Sequence, residues 1–262
     1  MEAVCYEPNP VIDSRMKIKR IEECASTNAL GREVEVGDSP VMIIATAQTA
    51  GRGQKGNSWE SEPGKNLTFS VVWRPENIQA RDQFVISEAV ALAVRDFLKS
   101  RRIEAKVKWP NDIYVDDRKI CGILIEHSLT GASIDRTIAG VGVNINQKEF
   151  LSDAPNPVSV LNFLGEEQDL EKAVEDMAAI FEERISSLGD PAKMEETHLE
   201  FLNNLWRGDG DYHPFRDVAE DTVFDGKILD VCPDGPIKIK KNGGEVKKYQ
   251  FKEVEFLLKT RI

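Results

Sequence analysis

Histidine, cysteine and long apolar runs are all scarce in this chain of 262 residues. His127, His198 and His213 have no metal-ligand spacing, and Cys5, Cys24, Cys121 and Cys232 form no C-x-x-C pair, so neither a zinc knuckle nor a dithiol redox centre is written here. No run reaches the roughly 18 apolar residues that a membrane-spanning helix needs, and the opening MEAVCYEPNPVIDSRMKIKR lacks the apolar centre of a signal peptide. The expectation is a cytoplasmic protein with no membrane partner. Basic residues are in deficit, 34 Lys and Arg against 45 Asp and Glu, and the net charge of -11 argues against a general nucleic-acid surface. It leaves room for a local basic pocket, because the field inside a cleft is set by the groups nearest to it.

What is present is an ordinary globular composition, 41% hydrophobic and 30% charged. The length suits one large core and a small appendage. The patterns predict strands at 16–21, 41–47, 67–73, 107–109, 113–115, 120–126 and 137–145, with a turn at Asp116–Lys119. A short helix follows the capping residues Ser26, Thr27 and Asn28. Apolar residues at 3,4 spacing mark longer helices at 82–101, around 170–185 and from 191 to 205. The fold class is therefore α+β, a mostly antiparallel sheet with packed helices, over residues 1–210. After the linker candidate RGDGDYHP, short strands separated by turns at Asp225–Gly226, Asp234–Gly235 and Asn242–Gly244 predict a small β-barrel over 211–262.

Two regions carry the chemistry. The loop QTAGRGQKGNSWE, Gln48 to Glu60, satisfies G-x-G-x-x-G, yet a strand and not a helix follows it, which excludes a Rossmann turn; it also lacks the G-K-[ST] ending of a P-loop. Its free backbone amides, with Arg52 and Lys55, suit an anionic ligand. The second region is KWPNDIYVDDRKICGILIE, Lys108 to Glu126, followed by GVGVNIN, Gly140 to Asn146. Gly122, Gly140 and Gly142 interrupt apolar strands, which marks a close approach by a ligand or by another part of the chain. Taken singly these features also fit plain structural roles: Trp59 as core, Ser26 to Asn28 as a helix cap, Asn111 and Asp112 as turn formers.

Four ordered blocks, STN at 26–28, QTAGRGQKGNSW at 48–59, KWPND with the downstream DRK at 108–119, and GVGVN at 140–144, together resemble the biotin-protein ligase family. The resemblance implies a class II synthetase-like catalytic domain with a small C-terminal SH3-like domain. It places biotin against Ser26, Thr27, Asn28, Gln48, Arg52, Gly53, Gln54, Gly122 and Lys119. It places ATP and the adenylate against Arg52, Trp59, Asn111, Asn144 and Lys119, and makes Lys119, Arg52 and Asp112 the catalytic set. Mg2+ accompanies ATP, with ligands the sequence does not identify. The implied reaction joins biotin to ATP as biotinyl-5'-AMP and transfers biotin to a lysine of a biotin carboxyl carrier domain. Where relatives often read GRGRRG, this chain reads GRGQKG, so Gln54 stands in place of an arginine and Lys55 is the nearest compensating charge.

Three rival readings stay open at the level of sequence. A lipoate ligase shares the implied fold and an acyl-adenylate step, but its RRxSGGG-type loop is absent. A biotin-binding repressor would carry a winged helix-turn-helix before the STN block, and so few residues precede that block here that a form without a DNA-binding domain, and no DNA partner, is expected. A non-catalytic binding module would bind biotin without exchanging pyrophosphate into ATP. Monomer and homodimer are both compatible with the sequence.

Overall fold

The computed structural model describes residues 16–151 and 156–258, the side chain of Lys55 excepted. The chain opens with β1 (Lys17–Cys24), α1 (Thr27–Gly31), β2 (Val41–Gln48) and β3 (Leu67–Trp73). Next come α2 (Phe84–Ser100), β4 (Lys106–Lys108), β5 (Asp112–Val115), β6 (Arg118–Thr130) and β7 (Ser133–Val143). These seven strands form one sheet in the order β1-β2-β3-β7-β6-β5-β4. All neighbours are antiparallel except β1 and β2, which run parallel because α1 and the segment after it carry the chain back along the sheet.

Period-two alternation divides the sheet into two faces. Leu67, Phe69, Val71 and Trp73 join the main core, which is closed by α2 and by α4 (Leu170–Ser186). Phe69 meets Phe181 of α4 edge to face, with ring centroids 5.7 Å apart. Asp169 caps α4 by accepting hydrogen bonds from the amides of Glu171 and Lys172, and Asp190 caps α5 (Pro191–Asn203) in the same way from Ala192. A short helix that the sequence patterns did not predict, α3 (Val160–Leu164), is set by a capping box between Ser159 and Asn162 and ended by Gly165 at φ 75°.

The opposite face is partly covered by α1. There the register aligns Asp112, Gly122, Gly142 and Thr68 across four strands, and beside them Leu124, Gly140 and Ser70. Glycines at the centre of both rows leave a shallow trough where side chains would otherwise stand.

The remaining strands, β8 (His213–Asp217), β9 (Thr222–Val231), β10 (Ile237–Lys241), β11 (Val246–Tyr249) and β12 (Val254–Phe256), form a second antiparallel sheet in the order β11-β10-β9-β8-β12. Its turns lie at Asp234–Gly235 and Asn242–Gly244, as expected, but Asp225–Gly226 is not a turn. Strand β9 runs straight through that pair, and the chain reverses instead at Val218–Asp221, where Asp221 takes φ 50°. Gly226 serves packing: a Cβ there would lie 2.6 Å from Cγ2 of Ile239 on the neighbouring strand. This C-terminal sheet rests on the first through Trp109, whose indole N–H donates to the Gly235 carbonyl at 3.0 Å, and through Phe84, whose amide donates to the Pro233 carbonyl at 3.1 Å.

Candidate active site

Every residue that the resemblance assigned to biotin, to ATP or to catalysis lines one cavity of about 1180 Å³, which opens over the glycine trough. Its floor is set by what fills the missing side-chain positions. The Trp59 indole lies over Gly122 and Gly142, where a Cβ at either glycine would overlap its six-membered ring. Asn28 takes the place of a side chain at Gly140, and a Cβ there would overlap its amide. The close approach inferred from these glycines is thus made by two of the chain's own polar side chains, which form the bottom of the cavity.

The STN block is more than a helix cap. Ser26 stands at the N-cap of α1 but makes no side-chain capping bond. The Thr27 amide donates to Gln48 Oε1 at 2.8 Å, tying the helix start to the end of β2. Ser70 Oγ lies 2.8 Å from Thr27 Oγ1 and 2.6 Å from Asn28 Oδ1, while Asn28 Nδ2 donates to the Leu124 carbonyl at 3.2 Å and to Glu126 Oε2 at 3.1 Å. Ser26, Thr27 and Asn28 are all buried, so this end of the cavity is a set of hydroxyls and an amide fixed by neighbours.

At the other end Lys119 and Asp112 form an ion pair of 2.7 Å, both side chains largely withdrawn from solvent. A two-residue turn brings them together: Asp116, at φ 54°, and Asp117 link β5 to β6, and a bulge at Ile113–Tyr114 adjusts the register. The Lys119 ammonium also lies 5.7 Å from the Trp59 ring centroid, within reach of a cation–π attraction. Asn111 has a structural duty, exchanging bonds with Ile123: its Nδ2 donates to the Ile123 carbonyl at 2.6 Å, and its carbonyl accepts from the Ile123 amide at 2.9 Å. Asn144 donates through Nδ2 to the Val158 carbonyl at 3.1 Å, whereas its buried Oδ1 has no partner among the described residues. Trp59 Nε1 and Gln54 Oε1 are likewise buried without a partner among them. Unmatched polar atoms in one cavity are the signature of a place where a polar ligand completes the bonding.

The glycine-rich loop turns over the cavity through a 3-10 turn at Gln54–Gly56, with the Gly53 amide donating to the Asn57 carbonyl at 2.7 Å. Arg52 lies exposed at the rim and Gln54 also borders a smaller cavity of about 220 Å³ that contains Asp234. The Lys55 side chain lies outside the described residues. Lys108, given no role from sequence, donates to Tyr114 Oη at 3.1 Å and stands 4.8 Å from that ring's centroid; burial pushes its ammonium below the usual lysine range. Burial also pushes the Cys121 thiol well above its ordinary value, which removes it as a nucleophile.

Sequence reasoning missed Ser70, Glu126 and the wall supplied by the C-terminal sheet. Ser70 had a readable signal, a hydroxyl in the otherwise apolar strand LTFSVVW. Glu126 had none, since a glutamate near a strand end is ordinarily solvated. Phe256, Lys252 and Glu255 close one side of the cavity from a sheet more than a hundred residues downstream of the motifs.

Among the described residues no helix is long and apolar enough to cross a membrane, and no group of three or more His, Cys, Asp or Glu is arranged to hold a metal ion. Residues 18–144 match the model of the Biotin/lipoate A/B protein ligase family. The chain is 32% identical over 164 residues to the biotin--[acetyl-CoA-carboxylase] ligase of Paracoccus denitrificans, covering 60% of this chain and 68% of that protein. It is 30% identical over 168 residues to the bifunctional ligase/repressor BirA of Bacillus subtilis, covering 61% of this chain and 51% of that protein. The chain thus spans about half the length of the ligase/repressor relatives it matches. The biotin protein ligase of Aquifex aeolicus, solved with biotin and ATP, superposes with a TM-score of 0.74 at 22% identity, over 91% of this chain and 97% of that one, a likeness of fold. With the ordered motifs around one cavity, a shared fold and a relative aligned over two thirds of its length, the chain belongs to the biotin-protein ligases of the biotin/lipoate A/B protein ligase family.

Proposed function

We propose that this protein is an ATP-dependent biotin-protein ligase, with a catalytic domain at 1–210 and a C-terminal domain at 211–262. The observation that carries the reading is the polarity of the cavity: fixed neutral donors and acceptors at the STN end, and the Lys119–Asp112 pair beside a tryptophan at the other. Ser26, Thr27, Asn28 and Gln48 receive the ureido head of biotin, and Gly53, Gln54 and Gly122 border its chain. Trp59, Asn111 and Asn144 receive the nucleotide, with Asn144 Oδ1 and Trp59 Nε1 as the unmatched acceptor and donor.

The first step joins two anions, a carboxylate and a triphosphate, so the site must neutralise charge as the carboxylate oxygen attacks the α-phosphorus. Lys119 is placed for this and Arg52 can close over the rim. The bond to the bridging oxygen breaks and pyrophosphate leaves. Magnesium would enter with the triphosphate, bound mainly by the phosphates themselves. It would shield the departing pyrophosphate. In the second step the carrier lysine enters as an ammonium held by Asp112 and gives one proton to solvent; the neutral amine then attacks the acyl carbon, AMP departs, and the new amide nitrogen releases its second proton to solvent. The acceptor is a carboxylase carrier domain.

Biotin-dependent exchange of labelled pyrophosphate into ATP tests the reading. Exchange with biotin and none with lipoate is the expected result; lipoate-dependent exchange would favour the lipoate ligase, and biotin binding without exchange a plain binding module. A second measurement addresses the glycine-rich loop. Neutral hydrogen bonds contribute about half as much as charge-assisted ones. Gln54→Arg is therefore expected to slow dissociation of preformed biotinyl-adenylate about fivefold, the worth of about 1 kcal/mol. A chase with excess unlabelled ligand reads this directly, and equal rates would show that other groups close the loop.

A further inference from the structure

His198 lies outside the cavity, on α5 where the helical layer meets the C-terminal sheet. Its Nδ1 is 2.8 Å from Glu88 Oε1 on α2, and its Nε2 is 3.2 Å from Asp230 Oδ1 on β9. Asp230 in turn accepts from Lys238 of β10 at 2.5 Å through its other oxygen. A neutral imidazole has one N–H, so with both carboxylates ionised the two contacts require the imidazolium. The Glu88 side chain is only 3% exposed, and a buried carboxylate needs a compensating charge. Lys238, Asp230, His198 and Glu88 thus alternate in sign across the seam, contributed by β10, β9, α5 and α2.

The same seam supports the active-site turn. Glu88 stands one helical turn beyond Phe84, whose amide donates to the Pro233 carbonyl and whose ring packs against Gly235, at φ 111°. The Gly235 carbonyl accepts from the Trp109 indole, and Trp109 leads directly into Asn111, bonded to β6, and Asp112, paired with Lys119. Phe251 and Phe256 flank the same indole, with centroids 6.3 and 6.4 Å away.

We propose that His198 is a positioning residue: as an imidazolium it clamps the C-terminal sheet onto α2 and so holds the Trp109–Asp112 turn in the geometry that adenylate formation uses. The catalytic half of this statement rests on the function proposed above; the clamp itself does not. The hydrogen bond to Glu88 raises the His198 pKa, with Asp230 adding to it against partial burial. Burial raises that of Glu88, with His198 opposing. Burial also acts upward on Asp230, but Lys238 and His198 bring it below its ordinary value. Histidine and Glu88 therefore both bind a proton more readily in the closed clamp than apart. The contribution of His198 is complete below its ordinary value of 6.5 and is lost as pH rises through the raised value of the folded state.

Hydrogen–deuterium exchange at the Phe84 amide reports docking, because its acceptor is the Pro233 carbonyl. The wild-type protection factor should fall severalfold as pH rises from about 6 to about 9, the direction set by loss of the imidazolium. In Glu88→Gln a neutral His198 can accept from the new amide and still donate to Asp230, so protection should stay high and flat. In His198→Ala it should be low and flat. Pyrophosphate exchange should lose kcat over the same range in the wild type, with the KM for biotin unchanged, and Glu88→Gln should abolish that loss. A wild-type protection factor that does not change with pH, or a Glu88→Gln slope equal to the wild type's, would overturn the clamp. A sloping protection factor with flat kcat would overturn the positioning role. A protein with no exchange activity at any pH but a sloping Phe84 protection would instead sink the ligase reading and leave the clamp standing.

Discussion

Lys119→Ala is expected to slow adenylate formation about a hundredfold, close to the 3 kcal/mol that a charge-assisted contact to a developing anion supplies. The structure sharpens how this must be measured. Lys119 is the partner of Asp112 at 2.7 Å, with 25% and 18% of the two side chains exposed, so removing the ammonium also leaves a half-buried carboxylate without its counter-charge. Some loss of stability is therefore expected from the single variant. Asp112→Asn in the same chain removes that penalty. Lys119→Ala/Asp112→Asn should regain the thermal midpoint of the wild type while remaining inactive in pyrophosphate exchange. Normal exchange in a folded Lys119→Ala protein would remove Lys119 from the chemistry.

Gly140→Ala is expected to weaken biotin binding by about ten- to a hundredfold, the cost of disrupting one or two buried hydrogen bonds that leave unsatisfied partners. The added methyl overlaps the Asn28 amide, whose carbon lies only 2.8 Å from the position of the new Cβ. Asn28 cannot turn aside cheaply, because it is bonded at once to Ser70, Leu124 and Glu126, and it is 3% exposed. Calorimetric titration with biotin reads the effect. Since both changes act on one group, Asn28→Ala added to Gly140→Ala should cost little more. A dissociation constant within twofold of the wild type would show that biotin does not depend on Asn28.

Much of the fold was legible because its strands are short apolar runs bounded by turn residues; Leu67–Trp73 carries its limits in the sequence. The cavity was legible because ligand chemistry selects residue types that a bare scaffold does not need, such as glycine inside the strands at 122, 140 and 142. What escaped detection has a common cause, that the deciding partner is remote along the chain. Asp225–Gly226 looks like a turn locally, but Ile239, more than a dozen residues later, makes Gly226 a packing position inside a strand. The parallel pairing of β1 with β2 depends on the path taken by α1 and not on any feature of either strand. Glu126 is drawn in by Asn28 and by Arg32 at 2.5 Å, a bond across nearly a hundred residues. The phenyl rings that close the cavity from the C-terminal sheet are likewise placed by Trp109.

The Lys119–Asp112 pair also governs how ligands arrive. Seen from several ångströms away the pair is a small dipole with no net charge, so it exerts little pull on an approaching anion. The chain as a whole carries -11, which repels both a carboxylate and a triphosphate. Capture is then governed by contact inside the cavity, where an incoming anion takes over the side of Lys119 that Asp112 leaves free. At the Debye length of about 8 Å in physiological salt the overall repulsion is mostly screened, so association quickens as ionic strength rises from low values. Arg52, Lys108 and Lys252 also line the cavity, and they act on an anion once it has come within a few ångströms. Here discrimination between anions is left to the last few ångströms, where shape and hydrogen bonding decide.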